Sequence, residues 1–230
     1  MLASVHLADV GVPAALTIAR KPPRPGSIAG LRHANVGFAA PLSGSLLPKP
    51  QLGRAALVAF WDDDDAIDAF LADHPLARKL AGGWRVRLQP LRRYGSWPGL
   101  DDEITTARHV EHDGVVAAVT LGRPIASQFP RFVRTSAKAE GSVVGAPGLL
   151  WTTGIARPPS FVATCSLWES SRALATYAFG ARDSAHPDAI EAGEAKPFHH
   201  EQAFVRFRPY GAQGHLEGRN PLAEALVPAV

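Results

Sequence analysis

The chain repeats itself. Arg85-Val86-Arg87-Leu88-Gln89-Pro90, followed by Gly95 and Gly99, recurs as Phe204-Val205-Arg206-Phe207-Arg208-Pro209, followed by Gly214 and Gly218, at a constant offset of 119 residues. Ala59-Phe60-Trp61-Asp62 recurs as Ser166-Leu167-Trp168-Glu169. Each of these is followed at the same distance by an apolar trio, Ile67, Phe70 and Leu71 in one copy and Leu174, Tyr177 and Ala178 in the other. That i, i+3, i+4 spacing predicts a helix after the Trp in both copies. Nearer the starts, Gly37-Phe38-Ala39 matches Gly154-Ile155-Ala156, and Val10-Gly11-Val12-Pro13 matches Leu121-Gly122-Arg123-Pro124. The matched pieces keep one order, so the chain is two copies of one supersecondary unit.

Each copy reads as a strand (4–11; 114–121), a crossover, two further strands (31–39 and 54–61; 148–156 and 161–168), helical material and a last strand (84–91; 203–210). That order, βαββαβ, is the ferredoxin-like unit of an α+β protein. In the last strand Trp84, Val86 and Leu88 face one way and Arg85, Arg87 and Gln89 the other, as period-2 geometry requires. Two such sheets can pack face to face into a barrel-like sandwich that encloses a pocket. Residues 1–100 form the first repeat, 101–113 a polar and charged linker, 114–222 the second repeat and 223–230 a tail. The first crossover contains Lys21-Pro22-Pro23-Arg24-Pro25-Gly26 and is expected to be a loop. The second, Pro124 to Lys138, is expected to be a helix with proline near its start.

Composition narrows the class. Apolar residues are 46% of the 230 and charged residues 20%, enough for a packed core in a soluble globular protein. The formal net charge of +3 comes from scattered residues, so nucleic acid is not an expected partner. The single cysteine, Cys165, excludes an internal disulfide framework and a multi-cysteine zinc site. With no basic n-region at the N-terminus and no apolar run long enough to cross a bilayer, the expected setting is the cytoplasm, with no integral membrane segment.

The conspicuous polar clusters have structural readings. Asp62-Asp63-Asp64-Asp65 falls where a strand passes into a helix, where carboxylates cap free N–H groups and complement the helix dipole. Glu169-Ser170-Ser171 occupies the same place in the second copy. His74-Pro75 and His186-Pro187 each suit a residue just outside a helix with proline at its first position. His109, Glu111, His112 and Asp113 lie in the linker, and His199-His200-Glu201 lacks the spacing of a zincin helix. Trp61 and Trp168 read as packing residues, and Cys165 as an inert buried thiol. His186 differs from His74 because the second copy is longer around it, and a neutral imidazole is a common iron ligand. Arg87 and Arg206 hold equivalent strand positions, and if their face lines a cavity they suit carboxylates such as haem propionates. Nucleotide-binding glycine loops and the serine-hydrolase elbow are absent.

Taken in order, Pro48-x-Pro50, Ala55-Ala56-Leu57-Val58-Ala59-Phe60-Trp61-Asp62-Asp63, Leu88-x-Pro90-Leu91, Gly95-x-Trp97, Gly145-Ala146-Pro147-Gly148-Leu149-Leu150 and Gly154-Ile155 resemble the spheroidene monooxygenase family. Thr164-x-Ser166-Leu167-Trp168, His186-x-x-Ala189-Ile190, Phe204-x-Arg206-Phe207 and Gly218-x-Asn220-Pro221-Leu222 continue the resemblance to residue 222. The resemblance implies a duplicated dimeric α/β-barrel fold, that is, two ferredoxin-like repeats packed as a pseudo-dimer in one chain. It further implies a haem cofactor and carotenoid oxygenation with O2 and an external electron donor such as a ferredoxin. Under it His186 would hold the iron, with Arg206 and Arg87 at the cofactor. Two other readings remain open at this point: a non-catalytic module that binds a small apolar ligand or haem, and a cofactor-free oxygenase of the same fold. Monomer and homodimer are both compatible with a duplicated chain.

Overall fold

The computed structural model describes residues 1–42, 51–179 and 197–225. The first repeat is built from β1 (Leu2–Asp9), α1 (Val12–Arg20), β2 (Leu31–Ala40), β3 (Arg54–Trp61), α2 (Asp64–Asp73), α3 (Pro75–Leu80) and β4 (Trp84–Gly95). The second follows with β5 (Val116–Pro124), α4 (Phe129–Val143), β6 (Leu149–Arg157), β7 (Phe161–Trp168), α5 (Ser171–Phe179) and β8 (His199–Gly214). A short helix, α6 (Pro221–Ala225), ends the described chain.

The eight strands close into one antiparallel barrel in the order β1-β3-β2-β6-β7-β5-β8-β4, with β4 returning to β1. Within each repeat the strand order is the ferredoxin-like one. The repeats join at two seams, β2 with β6 and β4 with β8. The fold is therefore the α+β pseudo-dimer that the duplication predicts, closed without a free sheet edge.

The lumen of this barrel is a core and not a pocket. Val5, Val58, Trp84, Val86 and Leu88 from the first repeat meet Val119, Leu121, Cys165, Leu167, Val205 and Phe207 from the second, all buried. An eight-stranded barrel is just wide enough for side chains to fill. The alternation in β4 thus resolves with its apolar face inward, and Arg85, Arg87 and Gln89 point to the helix side. The expected enclosed pocket between the sheets is taken up by these apolar side chains.

The first crossover departs from expectation. Residues 12–20 form α1, with Pro13 in its first turn and the proline run beginning only after Lys21. Proline at that position loses no hydrogen bond, because the first-turn N–H groups have no helical acceptor anyway. The second crossover holds the expected helix, preceded by a 3-10 turn at Ala126–Gln128.

The helix starts follow the acidic and hydroxyl residues. Asp63 accepts the Ala66 N–H at 2.9 Å and Ser170 accepts the Ala173 N–H at 3.1 Å, which makes them the caps of α2 and α5. His74 caps α3 through Nδ1, which accepts the Leu76 N–H at 3.1 Å, with Pro75 next in the chain. Trp61 and Trp168 are 0% and 1% exposed.

Candidate functional site

The two repeats present equivalent sheet faces to their own helices, and register places the residues row by row. In the first repeat one row runs Ala34, Ala59, Ser4, Arg87, and the next Val36, Leu57, His6, Arg85. In the second the corresponding rows run Thr152, Ser166, Ala118, Arg206, and Gly154, Thr164, Thr120, Phe204. Pairing to Trp61 and Trp168 sets β2 against β6 at an offset of 118 and β1 against β5 at 114, not the 117 and 111 of the sequence matches at Gly37 and Val10, so Val36, Leu57 and His6 are replaced by Gly154, Thr164 and Thr120.

The packing above the rows differs accordingly. Over the first sheet, α1, α2 and α3 bury Ile18, Ile67, Phe70 and Leu80 against Leu57 and Trp61. Each such side chain contributes about 1.5–3 kcal/mol by leaving water. Over the second, α5 buries none of its residues, and Ala118, Thr120, Thr152, Gly154 and Thr164 are only part-buried. Among the described residues the buried members of this second cluster are Val116, Val143 and Trp168. The second face is thus a floor of small side chains with an arginine at one end.

The two arginines have different surroundings. Arg87 Nη1 donates to Asp64 Oδ1 at 2.6 Å, and Nη2 donates to Asp68, both carboxylates on α2. Tyr210 also donates its hydroxyl to Asp64 Oδ1 at 2.8 Å, which helps to hold that carboxyl below its ordinary pKa. Among the described residues Arg206 has no such partners. Its Nε is buried without a hydrogen-bond acceptor, and Arg92 lies directly opposite on β4. Burial first, and the Arg92 charge second, push the Arg206 pKa down from its ordinary value. Ser171 Oγ, at the start of α5, is also buried without a partner.

Of the residues expected at a cofactor, Arg87 and Arg206 both lie on helix-side faces, 87 under the first repeat's α2 and 206 on the second repeat's sheet. They are not brought together, and Arg87 already holds two internal carboxylates. His186 lies outside the described residues, as do Pro48, Pro50, Ala189 and Ile190. His112 bonds the Val115 carbonyl at 3.2 Å, and Glu201 pairs with Arg123 at 2.9 Å. His199 packs its ring on Phe132, centroids 4.9 Å apart, and over Gly122, where an added Cβ would come within 2.7 Å of it. Among the described residues no three His, Cys, Asp or Glu side chains cluster as metal ligands would. Cys165 points into the barrel core, where burial pushes its thiol up to about 12.

The sequence marks Ser171 only as part of the capping set Glu169-Ser170-Ser171, although the repeat offset carries a further signal. The offset that pairs Asp63 with Ser170 also pairs Asp64 with Ser171 and Asp68 with Ala175. The second copy therefore keeps the arginine and loses both of the carboxylates that neutralise it in the first. The second face thus combines a guanidinium whose Nε has no acceptor with a row of small, part-buried side chains.

Known proteins bear on this arrangement. No protein-family model matches the chain. Among solved structures, a crystal structure of an aldoxime dehydratase in complex with butyraldoxime superposes with a TM-score of 0.54 at 9% identity, covering 98% of this chain and 85% of that one. An anthrone oxidase-like protein gives a TM-score of 0.36 at 13% identity, with 95% of each chain covered. Among curated proteins, the spheroidene monooxygenase of Rhodobacter capsulatus is 26% identical over 190 residues, 78% of this chain and 76% of the relative. That of Cereibacter sphaeroides is 27% identical over 187 residues, again 78% of this chain but only 56% of the relative's length. The chain is thus a dimeric α/β-barrel pseudo-dimer that resembles the spheroidene monooxygenases over more than three quarters of its length.

Proposed function

We propose that this protein is a haem-dependent monooxygenase that acts on a large apolar substrate of carotenoid or terpenoid type, using O2 and an external electron donor such as a ferredoxin. The observation that carries the reading is the second repeat's helix-side face, where the small-residue floor and the unpartnered Arg206 fit a flat apolar group with carboxylates at its edge. The likeness to the two spheroidene monooxygenases supports the reaction class.

In this reading the second repeat holds the cofactor and the first is scaffold. His186 ligates the iron, and Arg206 meets a carboxylate; Arg87, occupied by Asp64 and Asp68, stays with the scaffold. Haem, when bound, supplies the O2 chemistry. The chain's own work is to orient and to keep dry. Ala118, Thr120 and Thr164 are the small, part-buried side chains on which an apolar body would rest, with Leu42 packed at Gly154, and Trp168 walls one end with its indole N–H already satisfied by Ser166 Oγ at 2.8 Å. Because the barrel core behind the floor is packed with Val119, Leu121, Val205 and Phe207, water has no route through it.

Titration of the purified protein with haemin is the test. A Soret band that saturates near one equivalent, and that shifts in His186→Ala, is expected. Protein that develops no bound-haem spectrum overturns the reading. Oxygen insertion into an added carotenoid, read by mass spectrometry, then checks the reaction class.

A further inference from the structure

The duplication supplies an internal reference for what the second repeat lacks. Ala66 and Ala173 hold the same place behind the caps of α2 and α5, which aligns the two helices. Arg87 pairs across β4 and β1 with Ser4, and Arg206 across β8 and β5 with Ala118, which aligns the two arginines. At the aligned positions Asp64 and Asp68, both bonded to Arg87, become Ser171 and Ala175. Among the described residues two atoms left behind have no partner: Arg206 Nε and Ser171 Oγ are both buried and both lack a hydrogen bond. Arg92 opposite Arg206 adds a second positive charge, held at Nη1 by the Arg108 carbonyl at 3.3 Å. A buried Nε–H with no acceptor costs stability, and more so when it belongs to a cation without a counter-charge.

We infer that Arg206 and Ser171 form a binding site for a carboxylate carried by an exogenous molecule, which takes the place that Asp64 and Asp68 fill in the first repeat. The guanidinium offers two parallel N–H donors to the carboxylate and the Ser171 hydroxyl a third. The small-residue floor beside them receives the apolar body to which that carboxylate is attached. The inference rests on the reading that this face holds a bound molecule, not on that molecule being haem. A haem propionate and the head of a long-chain carboxylic acid are the two sources of the same chemistry, and the experiment separates them.

The decisive variant restores the missing carboxylates: Ser171→Asp with Ala175→Asp. Its apparent melting temperature is expected to rise by about 2–4 °C, as an added ion pair of about 1 kcal/mol would give in a chain of this size. Affinities for haemin, haemin dimethyl ester and palmitate are measured by quenching of tryptophan fluorescence in wild type, in this double variant and in Arg206→Gln. At least a tenfold loss of haemin or palmitate binding is expected in both variants. The dimethyl ester, which has no carboxylate, should bind wild type and variants alike. If palmitate binds and haemin does not, the carboxylate site stands and the haem reading falls. If haemin binds wild type and the double variant equally, with a Soret band that depends on His186, the haem reading stands and the inference is overturned. Absence of binding by both acids to wild type also overturns it.

Discussion

Trp61 donates its indole N–H to Ser4 Oγ at 2.9 Å, in the middle of the buried layer between the first sheet and its helices. Ser4 Oγ also lies 3.0 Å from His6 Nε2, so one hydroxyl serves two ring nitrogens. Trp can only donate, which leaves the Ser4 proton free to point at a neutral imidazole. Replacing Ser4 by Ala strands both rings inside the core. A loss of about 1–3 kcal/mol is expected, read as a lower urea midpoint at unchanged slope. An unchanged midpoint would show that the two rings find water or another partner.

His6 makes stability depend on pH. Burial above all, with the Arg85 and Arg87 charges adding, lowers its pKa from 6.5 to about 3. Between those values the unfolded chain takes up a proton that the folded chain refuses, so stability falls as the pH drops through that window. The slope expected from this one group is about 1.4 kcal/mol per pH unit. His6→Gln should flatten the fall by that amount in urea titrations at pH 6.5, 5.5 and 4.5. Parallel curves for the two proteins would count against this placement of the imidazole.

Adjacent glycines should respond oppositely to alanine. A Cβ on Gly83 would sit 1.9 Å from the Leu7 carbonyl oxygen and 2.6 Å from the Ala8 Cα, while one on Gly82 meets nothing within 4 Å. The neighbour at Gly83 is the backbone of the β1 strand, which cannot move without opening the barrel. Gly83→Ala is expected to cost about 3 kcal/mol or more, and Gly82→Ala to stay within about 0.5 kcal/mol of wild type. Paired thermal melts decide it.

Cys165 is fully buried in the barrel core among Val119, Leu121 and Phe207, and its thiol is pushed up to about 12. The thiolate is the reactive form, so native protein at pH 8 should not react with a disulfide reagent on the timescale of minutes. Addition of denaturant should release one equivalent at the rate of global unfolding, because Cys165 is sealed inside the closed barrel. Fast labelling of native protein would mean that the barrel opens locally.

Much of this protein could be read from residues alone, because duplication and period-2 alternation are local signals. The strands read at 31–39, 54–61 and 161–168, the helices after Trp61 and Trp168, and the capping roles of Asp63, Ser170 and His74 all follow from such local signals, with β2 running one residue further, to Ala40. The missed helix α1 shows their limit: a proline run announces where a helix cannot be, but not that one has ended just before it.

The sequence by itself determined two copies of a βαββαβ unit and an arginine at the same place in each. Only the tertiary structure decided which face of the sheet those arginines occupy, because alternation separates two faces without saying which one meets the helices. Closure into an eight-stranded barrel leaves a lumen that apolar side chains fill, so the charged face had to go outward. What distinguishes Arg206 from Arg87 is likewise tertiary. Strand and helix are far apart in the chain, and only their docking sets Asp64 and Asp68 on one guanidinium and leaves Ser171 and Ala175 at the positions equivalent to them in the second copy.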